Sequence, residues 1–228
     1  MRQAVILVGG QAMRMRPYTQ DRPKAMVEIA GKAIIDHELE WLADNDVELA
    51  MISCGRVADM LQDHLGDGTR FGLEVDFAVE SEPLGRGGGL KFAAGKLPDK
   101  QSRWFGINGD IITDFSIDDL VAQHSKLGVL ATIALAPFST NWGVADLEGD
   151  LIRGFIEKPK TDFWINAGVY CFEPEVVDML PDKGDHENST FPKLAKEGKL
   201  GSYRIDGYWR GIDTAKDIQE ATVELEKM

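Results

Sequence analysis

The sequence predicts an α/β protein: a mostly parallel sheet flanked by helices, followed by a smaller antiparallel extension. Three observations predict it. Over the first 130 residues, short apolar runs alternate with amphipathic ones at the spacing of βαβ units. The loops that follow the apolar runs are rich in glycine or charge, and parallel sheets hold ligands at the carboxyl ends of their strands. Beyond residue 130 the strand-like runs crowd together, with Gly149-Asp150 reading as a hairpin turn between two of them.

In chain order, Ala4 to Val8 is an apolar strand that stops at Gly9-Gly10. Ile34 to Ala43 has helical apolar spacing, and Val47 to Ser53 is the next strand. Val57 to His64 is again helical, Leu73 to Val79 a strand, and a helix follows the glycines at Gly89 to Ala94. Trp104 to Asn108 is the fourth strand and Ile117 to Leu127 its helix. The second half predicts strands at Val129 to Ala136, Trp142 to Leu147, Leu151 to Ile156 and Ile165 to Phe172. Short helices follow at Glu175 to Leu180, Phe191 to Glu197 and Thr214 to Leu225. With no linker, repeat or low-complexity tract, the 228 residues read as one domain, residues 1-228.

The formal charge of -13 argues against a nucleic-acid surface, which needs a basic stripe. No apolar run approaches the roughly 18 residues that span a bilayer. The N-terminus enters a strand-like run without the parts of a signal peptide. Cys54 and Cys171 lie in apolar strand-like surroundings and read as buried free thiols, so a cytoplasmic compartment is expected.

Against that acidic background, Arg14, Arg16, Arg22 and Lys24 cluster within eleven residues just after Gly9-Gly10. A solvated loop balancing nearby acids is one reading. A polyanion cradle at a strand's carboxyl end explains the cluster better, because glycine lets backbone N–H groups approach phosphate and the cations neutralise it. The loop lacks the Gly-x-x-x-x-Gly-Lys-Ser/Thr pattern of a P-loop and the Gly-x-Gly-x-x-Gly fingerprint of a dinucleotide site.

Four further groups carry chemistry. Glu82-Pro83-Leu84-Gly85-Arg86-Gly87-Gly88-Gly89 is either a plain turn entering a helix or a place where backbone approaches a ligand. Asp110, in Asn108-Gly109-Asp110, is a natural Mg2+ ligand beside phosphates, or else a turn or cap residue. Glu157-Lys158-Pro159 is a strand-end turn whose lysine can meet a second phosphate. In Trp209-Arg210-Gly211-Ile212-Asp213-Thr214, Asp213 or Thr214 can cap the last helix and Trp209 can be core.

Taken together and in this order, these residues resemble the sugar-1-phosphate nucleotidyltransferases. That family opens with a strand, a Gly-Gly-x-Gly-Thr-Arg-Leu-x-Pro-Leu-Thr loop and then Pro-Lys. Gly9, Gly10, Arg14, Pro17, Thr19, Pro23 and Lys24 match, while Ala12 and Met13 replace the usual Gly and Thr. Pro83-Leu84-Gly85 with Gly88 is similar to the segment lining the base pocket. Asn108-Gly109-Asp110 is similar to the metal-carboxylate motif, and Glu157-Lys158-Pro159 to the sugar-phosphate motif. Asn166-Ala167-Gly168-Val169-Tyr170 is similar to the strand that touches the sugar. Many members read Trp-x-Asp-x-Gly-Thr near the end. Gly211 stands in that slot here, and the Trp-x-x-x-Asp-Thr spacing is similar to glucose-1-phosphate cytidylyltransferases. His64 to Gly68 with Phe71-Gly72 resembles short bacterial members, including N-acetylmuramate-1-phosphate uridylyltransferases.

The resemblance implies a Rossmann-like sheet over about residues 1-130 and an antiparallel sugar-binding part over about 131-228, in a short form without a C-terminal β-helix. It implies transfer of a nucleotidyl group from a nucleoside triphosphate (NTP) to a sugar 1-phosphate, with Mg2+ on Asp110 and Asp213. It makes Arg14, Lys24 and Lys158 catalytic, and puts Gly9, Gly10, Glu82, Pro83, Gly85 and Gly88 on the nucleotide. Asn108, Gly143, Glu157, Asn166 and Trp209 fall to the sugar. Mannose, glucose, heptose and N-acetylmuramate remain open as the sugar, as do the base and a homo-oligomeric state. Two rival functions are a non-catalytic homologue that binds a sugar nucleotide and a glycosyltransferase with a similar sheet. The presence of Arg14, Lys24, Asp110 and Lys158 speaks against the first, and Asn-Gly-Asp in place of an Asp-x-Asp after the Asn108 strand speaks against the second.

Overall fold

The structure, a computed structural model, describes residues 1–9, 15–140 and 142–228. Thirteen strands and seven α-helices alternate along these residues. They are β1 (Gln3–Val8), β2 (Glu28–Ile29), β3 (Lys32–Ala33), α1 (Ile34–Asp44), β4 (Leu49–Cys54), α2 (Ala58–Leu65) and β5 (Glu74–Val79). Then come α3 (Gly85–Ala94), β6 (Trp104–Asn108), β7 (Ile111–Thr113), α4 (Ile117–Leu127), β8 (Ala131–Ser139), β9 (Val144–Glu148) and β10 (Leu151–Ile156). The chain closes with β11 (Lys160–Phe172), α5 (Val176–Met179), α6 (Thr190–Lys196), β12 (Leu200–Arg204), β13 (Trp209–Gly211) and α7 (Ala215–Leu225).

A seven-stranded sheet in the order β12-β8-β11-β6-β1-β4-β5 forms the centre and draws strands from both halves of the chain. β5, β4, β1 and β6 pair in parallel, as do β8 and β12; β11 runs against both its neighbours. The expected mostly parallel sheet is therefore present. Helices cover both faces, which is why β1 and β4 are apolar at nearly every position. Side chains alternate between faces along a strand. Ala4, Ile6 and Val8 of β1 join the core under α1, α2 and α4. Val5 joins the opposite core under α3, α5 and α6. A third cluster ties α7 to β2 and β7 through Ile29, Ile112, Ile212, Ile218 and Ala221.

The predicted hairpin turn holds. Gly149 has φ +59° and links β9 to β10 in a separate two-stranded antiparallel sheet. Cys54 and Cys171 are free and buried, and burial pushes their thiols up to about 11 and about 12. Among the described residues no helix is long and apolar enough to cross a membrane.

Several elements depart from the sequence reading. β11 begins five residues before the expected Ile165, because its first half pairs with the far end of β8. The short strands β2, β3, β7 and β13, and the edge strand β12, escape a pattern reading because too few residues alternate to register. The helix expected from Gly89 begins at Gly85. Glycine disfavours helix on its own, so local propensity delays the predicted start. Tight packing overrides it. A Cβ on Gly87 would lie 2.7 Å from the His186 amide nitrogen, and one on Gly88 2.7 Å from the Asp182 carbonyl. Gly87→Ala is expected to cost about 1–3 kcal/mol by overpacking, and a chain of this size should then melt about 2–4 °C lower per kcal/mol. Thermal denaturation followed by circular dichroism reads this directly.

Candidate active site

Because β1, β4, β5 and β6 run in parallel, their carboxyl ends meet along one edge of the sheet. A cleft of about 1020 Å3 opens there. Gly9 after β1, Gly55 after β4, Glu80 to Pro83 after β5 and Gly109-Asp110 after β6 line it. Arg16, Thr19, Arg22 and Lys24 complete the wall. The basic loop and the acidic strand end thus share one cavity. Gly10 and Arg14 lie outside the described residues.

At one end of the cleft two carboxylates meet one ammonium. Lys24 Nζ donates to Asp110 Oδ2 at 2.8 Å and to Asp213 Oδ1 at 2.9 Å. Each of the three is positioned by backbone geometry. Lys24 opens a single 3-10 turn, Lys24–Met26, behind Pro23, closed by Val27 N–H donating to its carbonyl at 3.0 Å. Asp110 follows Gly109, whose amide donates to the Leu7 carbonyl at 3.0 Å; a Cβ at Gly109 would sit 2.7 Å from that oxygen. This anchors the turn to β1 at the site of a residue that only glycine fits. β7 and β13 then pair antiparallel, Ile111 opposite Gly211. The Ile212 amide donates to the Asp110 carbonyl at 2.9 Å. The ladder places residue 213 beside residue 110 across a sequence separation of about a hundred residues. The helix cap belongs to Thr214, which forms a capping box with Asp217 and leaves the Asp213 carboxylate at Lys24.

The Lys24 side chain is only 13% exposed. Burial works against its charge, but Asp110 and Asp213 outweigh burial and hold the ammonium above its usual pKa. Two carboxylates converging on one small cation are the oxygen donor set that a hard divalent ion takes, completed by phosphate and water. Among the described residues no group of three or more acidic, His or Cys side chains is placed to hold a metal by itself.

A second assembly adjoins the first where β11 breaks its register with β8 between Asn166 and Tyr170. Gly168 there has φ +76°, and its missing Cβ leaves room for Asn108, whose Nδ2 would lie 2.9 Å from such an atom. Asn166 Oδ1 accepts from the Gly168 amide at 2.9 Å, and its Nδ2 donates to Tyr170 Oη at 3.0 Å. Trp209 Nε1 donates to the Ala167 carbonyl at 2.8 Å. Asn108 Oδ1 is buried with no hydrogen-bond partner among the described residues. The structure thus brings together Asn108, Asn166 and Trp209, three residues assigned to the sugar.

Other candidates stand apart. Glu157 and Lys158 are exposed at the exit of β10, and Lys158 holds a strained φ of +48°. Gly143 packs beneath the Phe155 ring and beside Glu157 Oε2. No ion pair links Lys158 to the Lys24 cluster among the described residues. Glu82 and Pro83 line the cleft, with Glu82 Oε2 accepting from Lys183 at 2.9 Å. Gly85, at φ +79°, packs on Gly184, and Gly88 packs on Asp182 within α3. Their lack of a side chain therefore has a packing reason.

Sequence reasoning assigned no role of its own to Glu38 or Glu80. Glu80 accepts from Ser53 Oγ at 3.1 Å and from the Leu84 amide at 3.2 Å, shaping the cleft-lining loop. Glu38, on α1, is 2% exposed and accepts from the Ile111 amide at 3.1 Å, next to Asp110. Its Oε2 has no hydrogen-bond partner among the described residues. A glutamate on the buried face of an otherwise regular amphipathic helix was the one available signal.

With this geometry in place, comparison with known proteins is informative. The sequence model of the nucleotidyl transferase family matches residues 3–228. The chain belongs to that family. A mannose-1-phosphate guanylyltransferase catalytic subunit beta from Danio rerio is 34% identical over 223 residues, covering 94% of this chain and 62% of that protein. A mannose-1-phosphate guanyltransferase from Gibberella zeae is 33% identical over 228 residues, covering 96% of this chain and 62% of its own. The chain therefore spans about three fifths of the length of these relatives. Among solved structures, HddC from Yersinia pseudotuberculosis superposes with a TM-score of 0.79 at 28% identity, covering 99% of this chain and 100% of that one. The same protein complexed with GMP-PN gives 0.78 at 26% identity, over 99% and 100% of the two chains.

Burial pushes the Glu38 carboxyl well above its ordinary value of 4.5, and the neighbouring Asp110 charge adds to this. A raised folded pKa contributes stability that is complete below the unfolded pKa and is lost as pH rises toward the folded one. The wild type should therefore lose stability relative to Glu38→Gln as pH rises from about 4.5, since the amide keeps an acceptor for Ile111 and never ionises. Urea denaturation of both proteins across pH measures that difference.

Proposed function

We propose that this chain transfers a nucleotidyl group from an NTP to a sugar 1-phosphate, acting as a single nucleotidyltransferase domain. The observation that carries this reading is the convergence of Lys24, Asp110 and Asp213 at the carboxyl ends of β1 and β6. The names of the relatives favour GTP and mannose 1-phosphate as the first pair to test.

In the reaction a sugar-phosphate oxygen attacks the α-phosphorus. A new P–O bond forms there, the bond from the α-phosphorus to the bridging oxygen breaks, and pyrophosphate leaves with that electron pair. The phosphate monoester is already anionic near neutral pH, so no side chain need take a proton from it. The barrier is repulsion between two anions, and catalysis reduces to positioning and charge neutralisation. Lys24 stabilises charge developing on the α-phosphate. Arg14 holds the departing pyrophosphate, and Lys158 orients the sugar phosphate. Gly9, Gly10 and the Glu82 to Gly88 segment receive the nucleotide, while Asn108, Gly143, Glu157, Asn166 and Trp209 receive the sugar. The donor set of Asp110 and Asp213 fits Mg2+, which when bound would neutralise phosphate charge and lower the repulsion. The ammonium and the two carboxylates keep one another oriented before substrate arrives.

Removing one well-placed transition-state contact costs about 2.7–4 kcal/mol, or roughly 100- to 1000-fold in rate. Losses of that order are expected for Lys24→Ala and Asp110→Ala in folded protein, read by pyrophosphate release with GTP and mannose 1-phosphate. Chelation should abolish activity and added Mg2+ restore it. Wild-type protein inactive on every NTP and sugar 1-phosphate combination, or Asp110→Ala at full activity, would refute the reading.

A further inference from the structure

Helix α3 begins without a cap of its own. Its N-cap position is Leu84, whose side chain has no oxygen to accept the amides of the first turn. A segment 99 residues further along takes them instead. The Arg86 amide donates to Asp185 Oδ1 at 3.1 Å. The Gly87 and Gly88 amides donate to the Gly184 carbonyl at 2.8 and 3.2 Å, and the Gly184 amide donates back to the Leu84 carbonyl at 2.7 Å. A Cβ on Gly85 would lie 2.9 Å from Gly184, so the two backbones meet with no side chain between them.

The Arg86 guanidinium donates to Asp185 Oδ2 at 3.2 Å and pairs with Glu187 at 2.8 Å. Bonds from the guanidinium and the amide of Arg86 hold the Asp185 carboxyl below its ordinary range, so the cap stays charged near neutral pH. A negative charge there also meets the positive end of the helix dipole. From behind, His186 anchors the segment. Its side chain is fully buried and lies edge-on to the rings of Tyr170 at 5.2 Å and Phe191 at 4.7 Å. Exposed ion pairs contribute little by themselves, and Arg86 is half exposed. The acceptor that Asp185 offers the helix amide is therefore the larger contribution.

The clamped segment ends in the cleft, where Glu82 and Pro83 form part of the wall and Lys183 Nζ donates to Glu82 Oε2 at 2.9 Å. We infer that Asp185 is a positioning residue for nucleotide binding: it caps α3 from the far half of the chain and so fixes the Glu82 to Gly88 segment in the conformation that receives the NTP. The inference rests on the nucleotidyl-transfer reading above. Asp185 acts through the Arg86 amide and needs no contact with substrate. A segment ordered on folding has less freedom to lose on binding, so the cap raises affinity for the group that the segment meets. The sugar 1-phosphate, received by other residues, gains nothing from it.

Calorimetric titration with GTP, or with whichever NTP the wild type turns over fastest, tests this beside pyrophosphate release with each substrate varied. Asp185→Ala should weaken NTP binding and raise the KM for NTP about five- to tenfold, with kcat and the KM for sugar 1-phosphate unchanged. Asp185→Asn keeps an acceptor for the Arg86 amide and should restore most of the affinity. Asp185→Glu keeps the charge but displaces the acceptor, and should behave like Asp185→Ala. If Asp185→Ala does not fold, the Asn and Glu variants carry the same comparison. Asp182→Ala breaks the 2.7 Å ion pair between the same segment and Lys91 of α3, and should leave the KM for NTP unchanged. Hydrogen exchange at residues 84–88 should quicken in Asp185→Ala and Asp185→Glu but not in Asp185→Asn. Wild-type NTP affinity in folded Asp185→Ala and Asp185→Glu overturns the inference and leaves the activity reading standing. So does an Asn variant as weak as the Glu variant, or a KM raised equally for both substrates. A wild type that binds no NTP overturns both.

Discussion

The arrangement of this site rests on an ammonium shared by two carboxylates. Unit charges ~4 Å apart near a protein surface interact by about 4 kcal/mol. Asp110 and Asp213 carry like charges on the same ammonium, and Lys24 between them offsets their mutual repulsion. Lys24 is largely buried, so its attachment to both is weakly screened. The ionic contact therefore joins the first strand–loop unit, the end of β6 and the last helix into one body. The same contact holds a positive and two negative groups together at the cleft.

Backbone pairing rather than side-chain attraction brings these charges within reach. The three-residue ladder of β7 and β13 sets residue 213 beside residue 110, and Thr214 completes the helix cap that holds the Asp213 backbone. Beneath the ladder, Glu38 occupies the Ile111 amide. A buried carboxyl in that position is costly unless it is protonated or hydrogen-bonded. Here one oxygen is bonded and burial favours the protonated form. Glu38 thus holds the strand through one hydrogen bond, and burial disfavours its charged form beside Asp110.

Glycine serves two physical purposes here. Gly109 lets two strand ends close on each other beside the cleft. Gly87, Gly88 and Gly89 let α3 sink against the 181–186 segment and the sheet. Both groups appear in the chain as loop-like punctuation, and composition does not separate them. The separation comes from what lies above each Cα, which is set by distant residues. The same distinction applies to apolar residues. Val5 and Ile6 disappear into opposite cores, whereas Ile152 and Phe155 face outward from a hairpin that carries no helix over it.

Most of the central sheet was legible because its strands are covered on both faces and its helices on one, so hydrophobic period reports burial directly. The association of Gly9, Lys24 and Asp110 was legible for a related reason: parallel strands send their carboxyl ends to one edge whatever the details of packing. The placement of Asp213 was readable only by resemblance, since nothing local distinguishes it from a helix cap. Short strands, the early start of α3 and the buried Glu38 were hidden because each depends on partners far along the chain. The sequence by itself determined the alternation of elements and the clustering of opposite charges near strand ends, since both are local patterns. Only the tertiary structure decided which carboxylate meets Lys24, which glycines are packing contacts and which apolar face lies open, because those depend on distances between residues remote in sequence.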